Sequence, residues 1–570
     1  MNTNRQSGKA AFWQSILLLT LLATCLAQTH AQTDTIQTNV PALKDVYAHD
    51  FTIGCLLSYK YVGFPTDPYV PGQSAVITPN GGYLIQFHMN CMSPGNNMKP
   101  QYTVDIAASA AAYTAAAAGT ERDSVEVHPI VRFNGDMIAQ LDWAQRQGFT
   151  FRGHTLVWHS QTPTELFYSG YSTSNPRLSR ALMIERMGNY IHEVIRLIHE
   201  GWPGLLSAID VVNEAVNDDG TDRTGSEWYA TFGDNSYIMT AFELTRQATI
   251  DYGETQIKLY YNDYNTSIAS KADGIVRVCR PIFRAGYLDG IGMQEHDAMT
   301  FPTAEQWIAS YSKFDTICTE MSVTELDVNP GGTPTPAILA TQANQYGMLF
   351  KCFVERSYQS GRGKIINVSK DGLNDQYAFV ANASLWDSHN QCKPAFFAAV
   401  NVGMQYNTLD SLIAVADTFQ QANYTSGSWF VFSTVRSTAR IARNRNYSST
   451  LSADTGLGEA IASLQSAMDG LVVAGVEDDQ TPPLSFELRQ NFPNPFNPTT
   501  QITYVLPQSG HISLKVYDLL GEEVASLFEG FQDAGTHTVR FDGAGLTSGV
   551  YLYRLRAGNF VETRKLMLFR

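Results

Sequence analysis

Two glutamates that could carry out paired acid–base chemistry stand far apart in the sequence. Glu214 lies near the end of the apolar run SAIDVVNEAV (207–216), and Glu325 follows 111 residues later in ICTEMSVTELDV (317–328). Two carboxylates that face each other across a sugar can cleave a glycosidic bond, because one protonates the leaving oxygen while the other attacks the anomeric carbon or activates water. An isolated glutamate more often caps a helix or forms a salt bridge, so this hypothesis requires the two residues to meet.

Hydrogen-bonding side chains end several other apolar runs, most densely in FRGHTLVWHSQTP (151–163). These side chains are His154, Trp158, His159, Gln161, Asn213, Asn262, Asp263, Tyr264, Asn265, Gln294, His296 and Asp327. We expect Asn213 to hold a sugar hydroxyl, and Gln294 and His296 to set the charge and orientation of the two carboxylates. Asp327 is expected to fix the tautomer of His296 through a hydrogen bond to its ring.

Eight segments with strand-like apolar patterns must position these side chains, and helical patterns lie between them. The segments are 51–57, 83–92, 149–158, 207–216, 257–265, 288–296, 317–328 and 364–373. Strands that alternate with helices predict the α/β class, and eight of them predict a (β/α)8 TIM barrel. Catalytic groups of such barrels lie at the carboxyl ends of the strands, which is where the polar side chains stand. The sequence therefore predicts one site on one rim.

Composition excludes several classes of function. The net charge is −15, which argues against nucleic acid as the main partner because phosphate binding needs a basic face. The helix HEVIRLIHE (192–200) spaces its histidines seven apart, not the four of a zinc-protease helix. The cysteines show no C-x-x-C spacing, and no Gly-rich phosphate loop is present. We expect neither a metal nor a cofactor.

The N-terminus has the pattern of a targeting segment. Arg5 and Lys9 precede an apolar run (16–27) that is too short to span a bilayer, and small residues follow it. Residues 1–31 are therefore predicted to be a signal peptide. No later segment reaches the ~18 consecutive apolar residues of a membrane helix. We expect a protein without a membrane span that is secreted or attached to the cell surface.

A chain of 570 residues exceeds what one hydrophobic core usually supports, so several domains are expected. The barrel is predicted to cover 43–405. A small helical module follows at 421–472, then an acidic linker at 476–483, and then short alternating strands that predict a β-sandwich over 484–570. The helical module resembles FIVAR-type modules, on the strength of Ser428-Trp429 and its closing helix.

The last segment has motifs of its own. QNFPNPFNPTTQITYVLP (490–507), SGVYLYRL (548–555) and TRKLMLF (563–569) resemble the C-terminal sorting domains of type IX secretion substrates, in the family's order. This resemblance implies that the secretion machinery is a partner. A purely structural sandwich and a carbohydrate-binding module are the alternatives.

Residues 43–405 resemble glycoside hydrolase family 10, whose members are mostly endo-β-1,4-xylanases. The matching motifs are RGHTLVWHSQTP (152–163), DVVNEAV (210–216), LYYNDYN (259–265), DGIGMQEH (289–296), VTELDV (323–328) and CKPAFFA (392–398). The resemblance implies a retaining double displacement with Glu214 as acid/base, Glu325 as nucleophile and carboxyl groups roughly 5 Å apart. The implied substrate-binding residues are Asn96, Lys99, His154, Trp158, Gln161, Asn213, Tyr264, Gln294 and His296.

Four positions depart from the family pattern. Gly95 replaces a sugar-binding Glu, Asp371 replaces a Trp at the cleavage site, Phe379 replaces a later Trp, and Glu165 replaces the Trp after Gln-x-Pro. Lost stacking weakens sugar binding but leaves both carboxylates, so substrate identity is affected more than reaction type. We expect an endo-acting retaining hydrolase of β-1,4-xylan or a decorated xylan. The alternatives are the same mechanism on another β-linked plant polysaccharide, or a non-catalytic glycan-binding protein on the same scaffold.

Overall fold

The computed structural model describes residues 36–57, 81–358, 361–443, 456–473 and 485–568. The predicted signal peptide (1–31) and linker (476–483) lie outside these ranges. The described residues divide into two compact units. The first contains those within 36–408 together with Arg443, and the second contains 409–442, 456–473 and 485–568. The predicted barrel boundary at residue 405 lies within the helix Pro394–Asp417.

The first unit is a closed parallel barrel, as the sequence predicts. Its strands are β1 (Thr52–Leu57), β2 (Cys91–Pro94), β3 (Thr150–Trp158), β4 (Leu206–Asn213), β5 (Lys258–Asp263), β6 (Gly290–Met293), β8 (Glu320–Asn329) and β9 (Lys364–Asp371). Each strand pairs with the next, β6 pairs with β8, and β9 returns to β1, all in parallel. The short β7 (His296–Ala298) pairs in parallel with the end of β8. Most residues of these strands are buried, as expected for a parallel sheet covered by helices.

Helices lie before, between and after the barrel strands. They are α1 (Leu43–Val46), α2 (Gly81–His88), α3 (Pro100–Thr103), α4 (Ile106–Ala115), α5 (Thr120–Val127), α6 (Gly135–Gln147), α7 (Arg180–Gly201), α8 (Glu227–Phe232), α9 (Ser236–Asp251), α10 (Ala269–Arg284), α11 (Ala304–Phe314), α12 (Pro336–Ser357) and α13 (Pro394–Asp417). In α7, buried residues such as Met187, Ile191, Val194 and Ile198 recur at three- and four-residue spacing, which gives the helix one apolar face toward the barrel.

The strand predicted over 83–92 is wrong for most of its length. Residues 81–88 form helix α2, and the barrel strand begins only at Cys91. Within α2, Leu84, Ile85 and His88 are buried together because they lie on one helical face. A short apolar run fits a buried helix as well as a strand, and periodicity alone does not separate the two.

The second unit contains helices and two antiparallel sheets. Its helices are α14 (Ser426–Arg443) and α15 (Leu457–Asp469), both within the predicted 421–472 module. One sheet has β10 (Glu487–Leu488), β11 (Thr499–Leu506) and β14 (Gly535–Asp542). The other has β12 (Gly510–Tyr517), β13 (Glu523–Gln532), β15 (Gly549–Ala557) and β16 (Phe560–Leu568).

The two sheets share one hydrophobic core. Ile502 and Tyr504 of β11 and Leu514 and Val516 of β12 are all buried in it. Inward-facing residues of two sheets in one core define a sandwich, which confirms the predicted architecture of this segment. In the part of the chain that the structure describes, no helix is long and apolar enough to cross a membrane.

Candidate active site

The strand ends bring the predicted polar side chains to one rim of the barrel. Strands β3, β4 and β5 end at Trp158, Asn213 and Asp263. In the register of neighbouring strands, Trp158 lies beside Asn213 and Asn213 lies beside Asn262. Because parallel strands present their carboxyl ends on the same side, the remaining polar strand ends share this rim.

The backbone of this rim adopts the left-handed conformation at four residues that are not glycine. The φ angles are 43° at Gln161, 56° at Glu214, 53° at Asn265 and 58° at Glu295. Such angles are uncommon for these residue types and cluster at functional sites, where the surrounding structure holds them. At Glu214 the backbone N–H donates to the carbonyl of Asn262 (2.9 Å), which fixes the turn out of β4.

Glu214 is oriented by two amide side chains. Asn213 Nδ2 (3.1 Å) and Gln294 Nε2 (2.8 Å) both donate to its Oε1. Its Oε2 lies 3.8 Å from Nδ1 of His159, and the side chain is 12% exposed. Gln294 and Asn213 therefore both contact Glu214 through their side-chain amides. One oxygen of Glu214 is held by amides, while the other has only the more distant His159.

Glu325 lies in a more strongly charged environment. Its Oε1 accepts a hydrogen bond from Asn262 Nδ2 (3.2 Å), and its Oε2 lies 3.4 Å from Nε2 of His296. Burial raises the pKa of Glu325, but the hydrogen bond from His296 and the electrostatic influence of His154, His296 and Lys99 outweigh burial and lower the pKa to about 2. Glu325 is therefore ionised at neutral pH, which is the state that nucleophilic attack requires.

Asn262 contacts both Asn213 and Glu325. The sequence places it among the polar strand ends but predicts no catalytic or substrate-binding role for it. Its Nδ2 donates to Asn213 Oδ1 (3.0 Å) as well as to Glu325, and its Oδ1 accepts from Thr324 (2.8 Å). The sequence carries a signal for this role, since Asn262 stands at the end of its strand in the same position as Asn213. Strand register was needed to recognise it.

His296 lies between the carboxylates of Glu325 and Asp327. Its Nδ1 is 3.2 Å from Asp327 Oδ2, while its Nε2 faces Glu325. Burial lowers the pKa of His296, but the hydrogen bonds and charges of Asp327 and Glu325 raise it well above the usual range. The imidazole is therefore held as a cation, and this cation keeps Glu325 ionised.

Lys99 contacts three other predicted site residues. Its Nζ donates to Asn96 Oδ1 (2.8 Å) and to Gln161 Oε1 (2.9 Å), and it lies 4.5 Å from the centre of the Trp158 ring. Burial lowers the pKa of Lys99, and the negative charges of the two glutamates and Asp371 oppose this effect. The ammonium group is thus a cation at the floor of the site with oxygen partners and an aromatic face around it.

His154 and Tyr264 are positioned by different contacts. The His154 Nδ1 lies 3.0 Å from Asp210, whose other oxygen accepts from Arg152 (2.8 Å), so the buried ring is fixed in place. The Tyr264 hydroxyl accepts from Arg223 (2.9 Å), and Arg223 Nε donates to the backbone carbonyl of Glu214 (2.7 Å). Tyr264 therefore reaches the two glutamates only indirectly.

Two of the positions that depart from the family pattern, Asp371 and Phe379, contact each other, and Phe379 also contacts His296. Asp371 ends β9, and its Oδ2 accepts a hydrogen bond from the backbone N–H of Phe379 (2.6 Å). The Phe379 ring lies 5.9 Å from the His296 ring and is 83% exposed. Glu165 lies in a short 3-10 helix (Thr164–Phe167) beyond β3. Within the described ranges, no three His, Cys, Asp or Glu side chains are grouped so that they could hold a metal ion.

Residues 43–402 match the family model described as glycosyl hydrolase family 10. The chain belongs to glycosyl hydrolase family 10. Residues 490–568 match the secretion system C-terminal sorting domain, which confirms the predicted nature of the β-sandwich. This family 10 chain is therefore a secreted or cell-surface protein.

Similar proteins cover different shares of this family 10 chain. Endo-1,4-beta-xylanase Y of Acetivibrio thermocellus is 30% identical over 392 residues, which are 65% of this chain and 33% of that protein. A putative endo-1,4-beta-xylanase of Caldicellulosiruptor saccharolyticus is 29% identical over 323 residues, or 54% of this chain and 98% of that protein. The matched part thus spans a third of the first relative and nearly all of the second.

Solved structures agree with the barrel. The structure of the Clostridium thermocellum N-terminal endo-1,4-beta-D-xylanase 10B modules complexed with xylohexaose superposes with a TM-score of 0.54 at 29% identity. The match covers 65% of this chain and 68% of that one.

Proposed function

We propose that this family 10 chain is a secreted, endo-acting, retaining hydrolase of β-1,4-xylan or a decorated xylan. The observation that carries the proposal is the connection of Glu214 and Glu325 through Asn213 and Asn262 at one rim of the barrel. Relatives named endo-1,4-beta-xylanase support the choice of substrate.

In the first step Glu325 attacks the anomeric carbon while Glu214 protonates the leaving oxygen. The contacts suit this division. Burial raises the pKa of Glu325, but His296, His154 and Lys99 lower it to about 2. The carboxylate is therefore available as the nucleophile. The amides of Asn213 and Gln294 occupy Oε1 of Glu214, which leaves Oε2 for the proton that is transferred.

In the second step water hydrolyses the glycosyl–enzyme ester. Glu214 now acts as base and removes the proton of the attacking water, and the second displacement restores the original anomeric configuration. Asn262 stabilises the departing Glu325 carboxylate through its hydrogen bond to Oε1. Hydrogen bonds to a group whose charge changes in the reaction contribute to catalysis because they are already oriented.

The experiment that tests the function is reducing-sugar release from plain and substituted xylans, glucans and mannans. A Glu325→Gln variant is the matched control, because it keeps the shape of the side chain and removes its charge. We expect release from at least one xylan by the native protein and none by the variant. Release from a glucan or mannan alone would support the same mechanism on another polymer. Glycan binding without release would support a non-catalytic binding protein.

A further inference from the structure

A third carboxyl group lies beside the proposed nucleophile. Asp371 is the last residue of β9, and its backbone pairs with Leu56 of β1 in the barrel. It is 8% exposed, the same fraction as Glu325. Asp371 and Glu325 lie on neighbouring parallel strands, and the residues next to them, Lys370 of β9 and Leu326 of β8, pair in the sheet. Burial raises the pKa of Asp371, and the charge of Glu325 raises it further, to about 6.

The position of Asp371 is fixed by its contact with the rim. Its Oδ2 accepts a hydrogen bond from the backbone N–H of Phe379. The Phe379 ring packs against the His296 ring, and Nε2 of His296 faces Glu325. The ammonium of Lys370 donates to the carbonyl oxygens of Asp371 (2.7 Å) and Gly372 (3.0 Å) rather than to the carboxylate. The carboxylate is therefore anchored through one oxygen.

Titratable groups on every neighbouring element face Asp371. They are Cys55 on β1, Lys99 after β2, His296 on β7, Glu325 and Asp327 on β8, and Lys370 on β9 itself. His296 is already held by Glu325 and Asp327, and Lys99 by Asn96 and Gln161. Lys370 donates to two backbone carbonyl oxygens. All three nearby basic groups thus have other partners, and among the residues that the structure describes none of them donates to the carboxylate of Asp371.

We propose that Asp371 is a specificity-determining residue that disfavours substrates bearing a uronic acid on or next to the sugar that Glu325 attacks. The proposal rests on the proposed function, because it assumes that Glu325 is the nucleophile. A sugar under attack must lie within bonding distance of Glu325, so its substituents come close to Asp371. A negatively charged substituent there meets two carboxylates, whereas a neutral one offers hydroxyl groups that donate to them.

The test compares kcat/KM on three matched substrates at pH 7.5: linear xylan, xylan with neutral arabinosyl side chains, and xylan with glucuronosyl side chains. Asp371→Asn removes the charge and keeps an oxygen that accepts from Phe379, and Asp371→Glu keeps the charge. We expect the native protein to favour the neutral over the acidic decoration by about tenfold, equivalent to ~1.4 kcal/mol. Asp371→Asn should lose most of this ratio, and Asp371→Glu should keep it.

The same comparison at pH 5 adds a readout that a steric role would not change. Asp371 takes up a proton as the pH falls below its pKa of about 6, while a uronic acid stays ionised, so the preference of the native protein should shrink at pH 5. The ratio for Asp371→Asn should not vary with pH. An unchanged ratio in Asp371→Asn, with activity on linear xylan intact, would overturn this inference alone. Absence of turnover on all three xylans would overturn the proposed function and this inference with it.

Discussion

Asn213 and Asn262 lie side by side on neighbouring strands and share a hydrogen bond of 3.0 Å between their side chains. From this pair, one amide reaches Glu214 at 3.1 Å and the other reaches Glu325 at 3.2 Å. The distance between the two proposed catalytic groups is therefore set by strand register and not by flexible loops. Sites built on strands hold their geometry more closely than sites built on loops.

Replacement of Asn262 by alanine removes the donor to Glu325 and the link to Asn213. We expect kcat to fall about 100-fold with a smaller change in KM, as when one donor to a developing charge is lost. Asn189→Ala is the control, since Asn189 lies on helix α7 and its amide donates to the backbone carbonyl of Val127 on helix α5. Steady-state kinetics on a xylan measure both parameters. Equal losses in the two variants would show that Asn262 has only a structural role.

Glu295 offers a prediction about stability. It is buried, Trp307 and Tyr311 donate to its Oε1, and Asp297 is a further side-chain hydrogen-bond partner. Burial raises the pKa of Glu295 to about 7, and burial likewise raises that of Asp297 beside it. A carboxyl group whose pKa is higher in the folded state contributes stability at low pH. The pKa of a glutamate in the unfolded chain is ~4, so this contribution is lost as the pH rises from ~4 through the pKa of the folded state.

Glu295→Gln should therefore unfold at a higher temperature than the native protein at pH 8, by about 2–4 °C, and not at pH 4. Glutamine keeps the acceptor for Trp307 and supplies an N–H toward Asp297. The exposed Glu305→Gln serves as control, with no such pH-dependent gap expected. Calorimetry across this pH range is the measurement. A variant that is less stable than the native protein at pH 8 would contradict the raised pKa of Glu295.

The sorting domain predicts where the protein accumulates. Removal of residues 484–570 should prevent secretion while the remaining chain keeps its activity in cell extracts. The full-length Glu325→Gln variant is the control, because it should be secreted without activity. Immunoblots of medium and cells, with activity assays, separate these outcomes. Normal secretion of the shortened chain, together with lost binding to insoluble glycan, would instead favour a carbohydrate-binding module.

The residues that depart from the family pattern at positions 95 and 371 predict weak activity on plain xylan. Gly95→Glu combined with Asp371→Trp restores the family's residues at both positions, a hydrogen-bonding carboxylate and a stacking ring. Because stacking on one aromatic ring contributes ~1–3 kcal/mol, we expect kcat/KM on linear xylan to rise about tenfold or more relative to decorated xylan. Each single variant is measured as a control for additivity. If the preference does not shift toward linear xylan, Gly95 and Asp371 are not the cause of weak activity on that polymer.

Much of the site could be predicted from the sequence because the carboxyl ends of all the strands of a parallel barrel lie on the same rim. Asn213, Glu214, Glu325 and His296 were recognisable on that basis alone. The strand predicted at 83–92 failed because an apolar run of that length fits helix α2 equally well. Asn262 and the closeness of Asp371 to Glu325 required the register between strands, which hydrophobic periodicity does not report.

The most direct test of the account uses azide with alanine variants of the two glutamates and an aryl β-xylobioside that needs no acid catalysis. With Glu325→Ala, azide should restore turnover and attack the anomeric carbon from the vacated side, which gives the inverted α-glycosyl azide. With Glu214→Ala, Glu325 still forms the intermediate, so azide should give the retained β-glycosyl azide. Proton NMR of the products distinguishes them. A β-azide from Glu325→Ala, or undiminished turnover by that variant without azide, would contradict the assignment of Glu325 as nucleophile.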